Sequence, residues 1–306
     1  MAIYNAGELI KTLRKQKGVS QEDLADGITD RANLSKIENG SITPGKKIVE
    51  ALLEKLGFSS QGNLTDLTVY LDGEMSDVHV RLDELDAYLK NKRTGEADAL
   101  ISVLENDKNF QKGLYLQHLL AAKAANSINK NEDTSKIRAL LDESIKISIP
   151  AFNERYIADY MLTRDDLRII NMMAIVHLNT GEIEKAIKVM YGIKDNFDKN
   201  CIDKLLKGIH YPMVIYNLTT YLIRAKRHKE AANLCDAGLQ CCLNTDFFRF
   251  MPLIIGNKVR CLFEMGDIES CERLVRQAYH GFDMFEMYDD KAKVKKYAKE
   301  KLGIDL

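Results

Sequence analysis

Ser20-Gln-Glu-Asp-Leu-Ala-Asp-Gly-Ile-Thr-Asp-Arg-Ala-Asn-Leu-Ser-Lys-Ile-Glu-Asn-Gly40 reads as helix, tight turn, helix. Ser20 is an N-cap with Asp23 three residues on, and Gly40 stops the second helix. Leu24, Ala25, Ile28, Leu34 and Ile37 supply the apolar faces, and the small side chain of Ala25 lets the two helices cross closely. Working outward, Ala6 to Lys17 forms a preceding helix that ends at Gly18, and a fourth opens at Pro44 and closes at Gly57. Ser59 and Ser60 can cap a further helix from Leu64 to Leu71, which with Asp72-Gly73 is the natural linker. The expected division is residues 1–60, a linker at 61–73, and a larger part at 74–306.

The remainder is also helical. Only four prolines occur in 306 residues, and apolar residues recur at helical spacing in segments such as KIVEALLEKLG and AIKVMYGI. Hydrophobic residues make up 45% and charged residues 29%, so a core can form and disorder is excluded. No run approaches the roughly 18 apolar residues of a membrane span, and the first residues lack the apolar region of a signal peptide, so a cytoplasmic protein is expected. The net charge of −1 places any nucleic-acid-binding charge locally.

Beyond residue 72 a repeat emerges. Gly181-Glu-Ile-Glu-Lys-Ala186, Lys226-Arg-His-Lys-Glu-Ala231 and Gly266-Asp-Ile-Glu-Ser-Cys271 align with turn residues 45 and 40 apart, each followed five positions later by a small residue. Upstream, Pro212 and Pro252 each precede an Asn, Asn217 and Asn257, by five residues. Weaker copies lie around Thr94-Gly95 and around Asn131 to Ala139, giving about five hairpins. The turns resemble the tetratricopeptide repeat, which implies an all-α architecture: a helix-turn-helix domain followed by a right-handed α-solenoid of helical hairpins with an inner groove. The segment from Asp283 to Leu302, with KAKVKKYAKEK, is expected to cap the last repeat, with a nucleic-acid role as the alternative.

Residues 7–57 resemble the helix-turn-helix domain of phage-repressor and Cro type. The resemblance rests on Leu13-Arg14, Gly18, Ser20 to Ala25, Leu34 to Gly40, Pro44 and Leu56-Gly57, with a turn one residue shorter than in the phage repressors. It implies that the helix beginning near Asp30 enters the major groove. Arg31 can then pair with guanine and Asn33 with adenine, with Lys36 one turn further on. Gln21, Asn39, Lys46 and Lys47 are the expected backbone contacts, which fix register. Such heads bind palindromic operators as homodimers.

Head and repeats together, with Gln117 in LYLQHLLAAKA, resemble the peptide-pheromone-responsive regulators of Gram-positive bacteria, the PlcR-like or RRNPP group. The resemblance implies a quorum-sensing regulator of transcription whose groove binds a short signalling peptide. An extended peptide needs side-chain amides for its backbone, and Asn supplies donor and acceptor together. Asn217 and Asn257 stand nine residues before their turns, and Asn171 ten before its own. Arg168 and Arg260 could hold an acidic group. The plainer alternative is that these Asn residues satisfy neighbouring helices. Repeats that serve only dimerisation or docking, in a constitutive repressor, also remain open. So does a redox-responsive regulator acting through Cys241 and Cys242.

All six cysteines lie in the last third without a CxxC pair, and the six histidines are scattered, so no metal is expected. No P-loop, GxSxG, HExxH or dinucleotide turn is present, so neither catalysis nor a cofactor is expected.

Overall fold

The computed structural model describes residues 7, 10–11, 14–15, 17–42, 44–56, 73–160, 162–200 and 204–306. Among these residues there is no strand, and the ordered structure is helical throughout. No helix among them is long and apolar enough to cross a membrane. The expected linker at 61–73 lies outside the described residues except for Gly73.

The chain divides into two compact units, Met1–Phe152 with Met161–Met172, and Asn153–Tyr160 with Met173–Leu306. In the first unit, α1 (Gln21–Ala25), α2 (Arg31–Glu38) and α3 (Lys46–Lys55) form the head. Ile10, Leu24, Ala25, Leu34, Leu52 and Leu56 are buried together there. Each such Leu contributes about 2 kcal/mol of apolar burial, enough to fold a small bundle of short helices. Gly18 and Gly40 adopt φ of +66° and +69°. The next residue donates to the carbonyl five back, Val19 to Arg14 and Ser41 to Lys36, so both glycines close helices as expected.

The hairpins run α4 (Gly73–Lys90) with α5 (Thr94–Glu105), α6 (Gly113–Asn129) with α7 (Thr134–Ser148), and α8 (Arg164–Asn179) with α9 (Ile183–Asn200). They continue as α10 (Lys204–Arg224) with α11 (His228–Thr245) and α12 (Met251–Glu264) with α13 (Ile268–Met284), before a final α14 (Tyr288–Tyr297). One turn geometry recurs. Lys92, Asn131, Gly181, Lys226, Gly266 and Glu286 all have positive φ, between +55° and +83°. In every case the following N–H reaches the carbonyl five back at 2.8–3.0 Å, as in Arg93 to Tyr88 and Asp267 to Leu262. The first turn therefore sits at Lys92, and Gly95 lies inside α5, two to three residues from where the sequence pattern placed it. In this register Ala97, Ala186, Ala231 and Cys271 all follow their turn by five residues, and all are fully buried. A larger side chain at these positions would overpack the hairpin.

The C-terminal helix starts at Tyr288 because the left-handed residue Glu286 ends α13 first. Val294 and Ala298 bury against Val275, Ala278 and Phe282 of the last hairpin, while the neighbouring lysines face outward, as a polar cap requires.

Candidate functional site

The head presents one open surface. Ser20 accepts the Asp23 N–H at 3.0 Å and starts α1, and Asp30 accepts the Asn33 N–H at 2.7 Å and starts α2. Leu34, Ile37 and Glu38 turn inward, while Arg31, Ala32, Lys36 and Asn39 are exposed. At 3.6 residues per turn, Arg31, Ala32, Ser35, Lys36 and Asn39 span an arc of about 140°. Asn33 falls outside it: its amide donates to Thr29 Oγ1 at 2.7 Å, on the flank of the helix. Ser35 belongs to the arc and was missed, although its spacing of four from both Arg31 and Asn39 was there to be read. Lys11 donates to Asn39 Oδ1 at 3.2 Å, Lys47 is exposed, and the side chain of Lys46 lies outside the described residues.

Glu38 organises the junction behind this surface. It is 2% exposed and accepts from Arg14 at 2.6 and 2.8 Å and from the Gln21 side chain at 2.8 Å. Burial alone would raise its carboxyl, but the Arg14 and Gln21 hydrogen bonds outweigh burial and hold it below its usual range. The side chain expected to meet phosphate, Gln21, is thus held from inside. Leu34, Ile37 and Glu38 at helical spacing already put the acid on the buried face.

The expected peptide-binding residues fall into two groups. Arg168 and Asn171 lie in the first unit, and Asn217, Asn257 and Arg260 in the second. Arg168 donates to Asp86 Oδ1 at 2.6 Å, and Asn171 is half-buried. Around that pair lies a buried polar cluster. His118 is fully buried, with Nδ1 at 3.3 Å from Asp165 and Nε2 at 3.4 Å from Asp86. Gln117 donates to Asp166 and Ser148, both at 2.8 Å, and Asp166 accepts from the N-cap residue Thr163. Burial opposes the His118 cation, yet Asp165 and Asp86 raise its pKa; burial likewise opposes Asp86, which His118 and Arg168 hold well below its usual range.

In the second unit Asn217 is half-buried, whereas Asn257 is 3% exposed. The Asn257 amide donates to the Tyr216 carbonyl at 3.2 Å and to the Thr219 and Thr220 hydroxyls at 2.9 Å, which ties α12 to α10. Asn257 and Arg260 also line one pocket of about 70 Å³, with Lys293 and Tyr297 of α14 and Tyr216 of α10. Because α10, α12 and α14 are successive first helices, this pocket opens on the face that an inner groove would use. Lys293 and Tyr297 carry no local signal of such a role, since both lie in what reads as a solvated cap.

Cys235, Cys241, Cys242, Cys261 and Cys271 are buried and unpaired, and Cys201 lies outside the described residues. Burial pushes the thiols up, Cys235 to about 12 and Cys242 to about 11, and raises Cys241 as well. They stay protonated, so the reactive thiolate of a redox sensor is suppressed.

Comparison with known proteins agrees with this architecture. Residues 10–62 match the helix-turn-helix family model. No curated protein matches the chain in sequence. Among solved structures it is similar to PlcR of Bacillus thuringiensis in complex with the peptide PapR7 and DNA, at 17% identity and a TM-score of 0.61, covering 95% of this chain and 98% of that one. It is also similar to the SHP pheromone receptor Rgg2 of Streptococcus dysgalactiae, at 13% identity and a TM-score of 0.55, covering 96% and 99%. A third is ComR of S. thermophilus in complex with DNA and its signalling peptide ComS, at 16% identity and a TM-score of 0.52, covering 98% and 100%. At these identities the likeness is one of fold, and it extends over the whole length of each.

Proposed function

We propose that the protein is a sequence-specific DNA-binding regulator of transcription, of the quorum-sensing type, whose DNA binding is controlled by a short signalling peptide held by its helical repeats. The observation that carries this reading is the open face of α2. Neither the Arg31 nor the Lys36 side chain has an ion-pair or hydrogen-bond partner among the described residues, and both are exposed where a recognition helix meets base edges. Residues 1–60 act as the head, 61–73 as the linker, and 74–306 as the ligand-binding and dimerisation part. Arg31 and Lys36 read bases with Ser35 beside them, and Asn33 reaches a base only by leaving Thr29. Gln21, Asn39, Lys46 and Lys47 position the backbone. Arg168, Asn171, Asn217, Asn257 and Arg260 are the ligand-side candidates, Arg260 foremost because it is exposed on a pocket. The peptide part is supported by the fold shared with PlcR and ComR, each solved with a peptide and DNA.

Residues 1–60 carry nine basic and eight acidic side chains, so one head grips weakly and a homodimer on two half-sites about 34 Å apart is the working form. Fluorescence anisotropy on DNA from upstream of its own gene tests the reading. Arg31→Ala lowers affinity for the preferred site by about 10- to 100-fold, equivalent to about 1–3 kcal/mol, and relaxes sequence preference. Full affinity and unchanged preference in that variant would remove Arg31 from base reading.

A further inference from the structure

The pocket between α12 and α14 combines two features that fit a single residue of a ligand. Its inner wall is apolar, with Leu253, Val259, Phe282 and Val294, of which the last three are buried. Its polar lining includes Arg260, which is exposed, and Tyr297, and neither side chain has a hydrogen-bond partner among the described residues. Burial pushes the Tyr297 phenol up to about 12, so it remains a donor. Lys293 adds no free charge, because Asp290 accepts from it at 2.8 Å.

We infer that this pocket binds the C-terminal residue of the regulatory peptide, with an aliphatic or aromatic side chain against the apolar wall and the free α-carboxylate on Arg260 and Tyr297. Only a terminal residue offers an apolar side chain and a carboxylate from one Cα. An internal Asp or Glu would occupy the guanidinium and leave the apolar wall without a partner. A charge-assisted contact with a planar guanidinium is the stronger kind of hydrogen bond, and a phenol hydroxyl adds a second donor. The inference rests on the peptide-controlled reading above and adds to it the class of peptide end that is recognised.

The test uses the full-length protein and synthetic heptapeptide pools, random at six positions and ending in Leu or Phe, made as free acids and as C-terminal amides. Retained peptides are quantified by mass spectrometry after gel filtration. Free acids are expected to be enriched about tenfold over the matching amides, the discrimination of one lost charge-assisted bond. Arg260→Gln brings that ratio to about one, while Lys299→Gln, at an exposed lysine outside the pocket lining, leaves it unchanged. Gly256 lines the same pocket, and a Cβ there meets nothing within 4 Å, so Gly256→Leu fills the space without a backbone clash and lowers retention of free acids. Equal retention of acids and amides by the wild type overturns the terminal-carboxylate assignment and leaves peptide control standing. Amides with an internal Asp or Glu, enriched by the wild type and lost in Arg260→Gln, also overturn it. Retention of no peptide from any pool overturns both readings.

Discussion

Glu38 is the acid whose removal tells most about the head. With 2% exposure and bonds from Arg14 and Gln21, its loss takes the acceptor from the Gln21 amide and from two Arg14 N–H groups, while Arg14 keeps only its bond to the Val19 carbonyl. Glu38→Ala is expected to destabilise the head by about 3 kcal/mol, measured by urea denaturation followed by circular dichroism. His118 is the second such residue. Its pKa is raised on folding, so its contribution is fully present below its ordinary value of 6.5 and is lost as pH rises through the folded value. Asp86 and Asp165 are shifted the other way, so their contribution is present above 3.8 and is lost as pH falls through their folded values. Thermal stability of the first unit is therefore greatest between about 3.8 and 6.5. In His118→Gln the decline above pH 6.5 disappears from the melting curves, and a wild-type Tm that stays flat as the pH rises above 6.5 would contradict the assignment.

At the scale of elements, the repeated turn makes opposite predictions for the two residue types that occupy it. Lys226 holds φ at +60° with a side chain, whereas Gly181 holds +80° without one. Lys226→Gly is expected to stabilise by about 0.5–1 kcal/mol and Gly181→Ala to destabilise by about 1 kcal/mol, both read from Tm. Asn257→Ala removes three bonds between α12 and α10 and is expected to cost about 2 kcal/mol, whatever the ligand does. Gly181 and Gly266 mark two turns openly in the sequence, and Lys226 and Asn131 follow from alignment with them, but Lys92 and Glu286 do the same work with residues that carry no such mark. A left-handed residue can be held by the surrounding hydrogen bonds instead of by glycine, and without an aligned repeat only the glycine shows in the sequence.

At the scale of the whole molecule, DNA binding should depend on salt to a degree set by the few cations the head offers. The slope of log affinity against log salt is expected to fall by about one when Lys47→Ala removes a phosphate contact, with sequence preference retained. An unchanged slope would place Lys47 away from the DNA. The all-α class, the head with its cap residue Ser20, the series of hairpins and the exposed Arg31 and Lys36 were legible in the sequence, because capping, glycine stops and helical periodicity are local signals. Tertiary structure alone decided that Glu38 holds Gln21 and that Asn257 ties one hairpin to another. It also joined His118 to Asp86 and Asp165, and set Arg260 and Tyr297 on one pocket. The physical reason is distance along the chain: these partners lie up to 47 residues apart, and which polar group a side chain meets is settled only when apolar burial has brought the helices together.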